Sequence, residues 1–121
     1  MNTTKWLDWT ALIAYCGLIF WLSSQSMLPV PSVFNAQDKV MHAGAYFVMA
    51  LLAWRALRHA GLSGKLTLIL AALFCSLYGI SDEWHQSFVP GRNPDVTDWL
   101  ADTVGAVGGV VLLHHIRKRF F

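Results

Sequence analysis

The chain has 121 residues, room for a single domain over 1–121. Hydrophobic residues make up 55% and charged residues 13%, against about 45–50% and about 25% in a typical soluble domain, so a membrane protein is expected. The formal net charge is only +2 and the longest basic run is Arg117-Lys118-Arg119, which argues against a nucleic-acid partner.

Four apolar stretches follow in chain order, at about residues 7–23, 39–57, 65–83 and 97–115. The first, around WTALIAYCGLIFWL, has no small-residue cleavage site after it and reads as an uncleaved span rather than a signal peptide. A polar connection with Pro29 and Pro31 leads to the second stretch, which opens on DKVMHAGAY. HAGLSGK, with two glycines, is a tight turn that makes the second and third stretches antiparallel neighbours. The third connection, HQSFVPGRNPD, carries the turn dipeptides Pro90-Gly91 and Asn93-Pro94. Asp95, with Asp98 three residues on, has the look of a capped helix start. In the fourth stretch Ala101, Gly105 and Gly109 form a small-residue face against which another helix is expected to pack.

The strictly apolar cores, such as AGAYFVMALLAW, are short enough to be core helices of a soluble bundle. None, however, has the charged outer face that a soluble amphipathic helix needs. With their polar ends included the stretches reach about 17–19 residues, enough to cross a bilayer. Trp6, Trp21, Trp54, Trp84 and Trp99 sit near their ends, as an aromatic belt would place them. The expected fold is all-α: an integral membrane four-helix bundle with short transmembrane helices. Cys16 and Cys75 fall mid-span, without a CxxC partner, and read as packing residues.

Basic residues give the orientation. Lys5, Arg55, Arg58, Lys65, Arg117, Lys118 and Arg119 fall on one side and only Lys39 and Arg92 on the other, a seven-to-two split. Both termini are therefore expected to be cytoplasmic.

The outward end gathers the chemistry. Asp38, His42 and Tyr46 are spaced four apart and share one helix face, as do Asp98 and Asp102. Asp82, Glu83, His85 and Gln86 lie at the end of the third stretch, with Arg92 and Asp95 in the following connection. Asp102 lies on the order of 10 Å below the start of its helix and must point inward, because a charge facing lipid at that depth costs at least about 2.5 kcal/mol. Six carboxylates (Asp38, Asp82, Glu83, Asp95, Asp98, Asp102) face only Lys39 and Arg92 at this end, an excess of four negatives. Two readings stand side by side. One is a structural network that braces the helix tops; the other is a binding or catalytic site.

Within the second reading, His42 with Asp82 or Asp102 suits acid–base work. His42 and His85 with Asp102, or with Asp38 or Asp82, would suit a divalent metal such as zinc, manganese or iron, although no strong ligand motif is present. Arg92 suits a phosphate or carboxylate head group. A proton or ion pathway ranks last, since VMALLAW, LTLILAAL and VGGVVLL offer no polar route across.

DKVMHAGAYFVMALL followed by YGISDEWHQSFVPGRNPDVTDWLADTVGAVGG resembles the VanZ-like family of small bacterial membrane proteins. Asp38, Lys39, His42, Tyr46, Asp82, Glu83, His85, Gln86, Arg92, Asp95, Asp98, Asp102 and Gly105 match its pattern, over a motif region of 38–109. Trp84 and Asn93-Pro94 are the departures, and neither touches the polar set. The resemblance implies an integral membrane protein of the bacterial envelope, and the basic-residue split then predicts a multi-pass protein of the inner membrane with its site facing the outer side. The implied partners are membrane lipids or a lipid-linked cell-wall precursor. The family's name comes from a member linked to teicoplanin resistance, so a relation to glycopeptide susceptibility is implied as well; no reaction and no oligomeric state is.

Overall fold

A computed structural model describes residues 3–26, 33–34 and 36–120, the last two without side-chain detail. It has four long helices: α1 Thr3–Ser23, α2 Gln37–Leu57, α3 Gly64–Gln86 and α4 Val96–Phe120. The connection containing Pro29 and Pro31 lies outside the described residues. Among the described residues there is no strand.

Each helix is long and apolar enough to cross a membrane. Twenty-one residues (α1) and 25 residues (α4) rise about 32 and 37 Å at 1.5 Å per residue, against a hydrocarbon core of about 30 Å. The helices outrun the apolar stretches because their flanks, such as DEWHQ at the end of α3 and HIRKRF in α4, continue the backbone ladder with polar side chains. The outward faces are apolar, with Ile13, Leu18, Ile69, Leu73, Leu77, Val104 and Leu112 all exposed. A soluble bundle would leave such a continuous apolar exterior unsatisfied in water.

The interior is built from small residues. Ala50, Ala53, Ala56, Ala71 and Ala106 are fully buried, with Met49, Tyr46 and Cys75 filling the space between them. The closest approach is between α2 and α4. A Cβ at Gly105 would overlap the Ala43 backbone, and one at Gly109 would lie 2.9 Å from the Phe47 carbonyl oxygen. In lipid no hydrophobic force draws helices together, so backbone proximity and packing must do it. α3 packs on both α2 and α4, and α1 lies mainly against α2.

The turns are specific. Leu57 leads into a short 3-10 turn, Arg58–Ala60, and Gly61 (φ 75) ends it in the left-handed region. Ser63 then caps α3 by accepting the Leu66 amide at 3.1 Å. Asp95 caps α4 in the same way through Thr97 N, at 2.9 Å. At the end holding both chain termini, Asp8 is buried and bonded by Arg55 Nε (3.0 Å), Arg58 Nη2 (3.1 Å) and His59 Nε2 (2.8 Å), which ties α1 to α2. This cluster was not anticipated from the sequence; Asp8 carries no local motif, and only its burial among cations singles it out.

Candidate functional site

At the opposite end, α2 turns its Asp38–His42–Tyr46 face toward the other three helices. The His42 ring is fixed by Asp102 of α4, with Nδ1 to Oδ1 at 2.7 Å. Its Nε2 stands 3.8 Å from Asp38 Oδ1 and 3.9 Å from Asp98 Oδ2, too far for direct hydrogen bonds. One turn deeper, the buried Tyr46 hydroxyl points at Asp82 Oδ2, 3.5 Å away on α3. Asp82 Oδ1 accepts from Ser23, the last residue of α1.

Asp102 is fully buried. Gly79 on α3 makes room for it, since a Cβ there would come within 3.1 Å of Asp102 Oδ2. That oxygen has no hydrogen-bond partner among the described residues. Lys39 binds three carboxylates: Asp98, Asp95 at 3.3 Å and Asp38 at 3.6 Å. Asp95 lies outside the helices, and hydrogen bonds from the Thr97 side chain and amide, with Lys39 beside it, hold its carboxyl below the usual range. Glu83 anchors the same loop, its Oε2 accepting the Asp95 amide at 2.9 Å.

The Pro90-Gly91 turn delivers Arg92. Arg92 N bonds the Val89 carbonyl at 3.1 Å with Gly91 at φ 81, the pattern of a turn with proline second and glycine third. The guanidinium thereby reaches a cavity of about 90 Å³ whose polar wall is Ser23, Asp38, His42, Tyr46, Asp82, Gln86 and Arg92. Arg92 Nη2 makes one long contact, 3.5 Å, to the Leu22 carbonyl. Its Nε is buried and has no partner among the described residues.

The twelve residues singled out in the sequence thus fall into three groups. Asp38, His42, Tyr46, Asp82, Gln86 and Arg92 line the cavity. Asp102, Asp98, Lys39, Asp95 and Glu83 stand behind or beside it, holding the lining residues or the loop. His85 stands apart: it stacks on Phe20 at 4.2 Å and reaches Ser24 Oγ at 3.3 Å. Glu83, His85 and Gln86 belong to α3 rather than to the connection, because the helix continues one turn past the apolar run. Among the described residues, side chains whose ligand atoms cluster within 4.8 Å are Asp38, His42 and Asp98, or His42, Glu83 and Asp102. His85 is in neither, since successive helical residues fan around the axis and its ring turns toward α1. The first set could hold a divalent cation only in competition with Lys39, which already occupies Asp98.

Ser23 was missed. An isolated serine at the end of an apolar span carries no pattern, and only the packing of α1 brings it to Asp82. The expected site drew on three helices; α1 adds a fourth wall.

Compared with protein-family models, residues 9–117 match the one described as VanZ/LLP1. No curated protein and no solved structure matches the chain.

Proposed function

The chain belongs to the VanZ/LLP1 family, a membrane protein by its four spanning-length helices, and from that premise we propose that it binds a phosphate-bearing head group in the cavity between the helix ends. The head group is that of a membrane lipid or a lipid-linked cell-wall precursor. The observation that carries this reading is Arg92, a cavity-lining guanidinium whose buried Nε has no hydrogen-bond partner among the described residues. A guanidinium is always charged and presents a planar fork of donors. Leaving a buried donor unmade costs about 1–3 kcal/mol, so an acceptor supplied by a ligand offsets a standing cost. Asp38 and Asp82 on the same wall accept hydrogen bonds from hydroxyl or ammonium groups beside the phosphate. His42, its ring fixed through Nδ1 by Asp102, presents Nε2 to the bound group and can exchange a proton with it.

In this proposal the termini are cytoplasmic and the cavity opens to the outer leaflet of the bacterial inner membrane, on the strength of the seven-to-two split of basic residues. The phenotype implied by the family name, altered teicoplanin susceptibility, belongs to the proposal and not to the fold. A purely structural reading draws on Lys39, whose three carboxylates brace α2 to α4 and its cap. It accounts for Asp95 and Asp98 but leaves Arg92 Nε without a purpose.

The test is the lipid that accompanies the protein through purification in mild detergent. Mass spectrometry should find a phosphate-bearing lipid with the wild type that is depleted from folded Arg92→Gln. Equal lipid content in both proteins contradicts the proposal.

A further inference from the structure

We propose a second lipid site at the opposite end of the molecule: a groove between α3 and α4 that selects an anionic phospholipid. The groove has a volume of about 820 Å³ and a floor of Leu68, Ala72 and Val110. Lys65, Arg117 and Lys118 stand at its terminal end. The floor is apolar over the length of an acyl chain's first segments, and the cations lie where a head group would sit.

Charge complementarity names the occupant. Six of the seven carboxylates lie at the other end of the bundle, and the seventh, Asp8, is already bound by Arg55, Arg58 and His59. Among the described residues, no carboxylate pairs with Lys65, Arg117 or Lys118. Arg117 is nevertheless held in place. Its guanidinium lies over the Trp54 ring at 5.8 Å and against Gly64, where an added Cβ would meet it at 2.6 Å. Gly64 is the first residue of α3, so the fixed cation sits on the positive end of that helix. Ser63 satisfies the amides of Leu66 and Thr67, which leaves those of Gly64 and Lys65 without an acceptor inside the helix. Two free amides, a packed guanidinium and two lysines around one spot are donors awaiting an anion. A zwitterionic lipid would bring its own cation into this array and be disfavoured; a free phosphate would leave the apolar floor uncovered.

Native mass spectrometry of protein equilibrated with equal amounts of phosphatidylglycerol and phosphatidylcholine tests the site. Wild type should retain the anionic lipid preferentially. Lys65→Gln, Arg117→Gln and Lys118→Gln should each weaken that preference, roughly fivefold per cation removed, and the triple variant should lose it. Ala72→Trp, which fills the floor and keeps every charge, should also lower retention. Inorganic phosphate at millimolar concentration should not displace the lipid. A triple variant that keeps the wild-type preference, displacement by phosphate alone, or undiminished retention by folded Ala72→Trp would each overturn the proposal. Loss of lipid from Arg92→Gln, whose cavity lies at the other end, would leave this preference unchanged, so the two sites fail separately.

Discussion

Asp102 is fully buried, bonded through one oxygen to His42, and without a partner among the described residues at the other. Its depth below the helix start made an inward orientation legible, because the alternative was a carboxylate in lipid. Its partner was legible only as one of several, since helical spacing lines up Asp38, His42 and Tyr46 without saying which carboxylate from another helix meets the ring. Replacing one member of a buried pair leaves the other uncompensated, which costs about 3–5 kcal/mol. Asp102→Ala should therefore lower thermal stability strongly in detergent. Asp102→Asn, nearly isosteric, should remain folded in the membrane yet lose head-group binding, because an amide can offer its NH2 where His42 needs an acceptor. If the pair only braces the helices, the double variant His42→Leu/Asp102→Leu should bind lipid as wild type does, and that result would favour the structural reading.

At the scale of elements, the α2–α4 contact decides how tightly the polar residues are held. The small-residue face of α4 was legible from the spacing of Ala101, Gly105 and Gly109, and the structure seats the two glycines on Ala43, Phe47 and Ala50. Helix ends were less legible: α3 continues through Glu83, His85 and Gln86 because nothing in DEWHQ stops a helix, although hydropathy falls there. The aromatic belt was legible only in part. Trp6, Trp21 and Trp84 are exposed as expected, whereas Trp99 turns inward and donates to the Ser76 carbonyl at 3.0 Å, and Trp54 lies under Arg58 and Arg117. The glycine contacts give a sharp contrast. Gly105→Ala gains about 1 kcal/mol of helix propensity but drives a methyl into the Ala43 backbone. Overpacking of about 1–3 kcal/mol should win. At Gly108 the added Cβ would meet the Phe47 ring at an ordinary 3.6 Å. Thermal unfolding should thus show Gly105→Ala destabilised and Gly108→Ala equal to or more stable than wild type; the same shift in both would place the contact elsewhere.

Across the whole molecule, charge is segregated: carboxylates gather at the end with the cavity and most cations at the end with the termini, the exceptions being Lys39 and Arg92 at the cavity and Asp8, fully bonded, at the far end. This asymmetry was fully legible in the sequence, because counting basic residues needs no knowledge of packing. The cavity was not, since it depends on α1 closing over Asp82 through Ser23 and on the left-handed Gly91 that aims Arg92. The proposed orientation rests on the same asymmetry. With Cys16 and Cys75 replaced by alanine, a cysteine at Asn93 should react with an impermeant thiol reagent in intact cells, and one at Leu62 only after the membrane is opened. The reverse pattern would turn the cavity toward the cytoplasm. The central claim concerns Arg92, and equilibrium binding of a radiolabelled lipid-linked cell-wall precursor to protein in lipid nanodiscs tests it most directly. A charge-assisted hydrogen bond contributes about 1.5–3 kcal/mol, so Arg92→Gln should weaken binding by about tenfold or more while Ile13→Ala, on the lipid-facing surface, leaves it unchanged. Wild-type affinity in the folded Arg92→Gln protein would contradict the account.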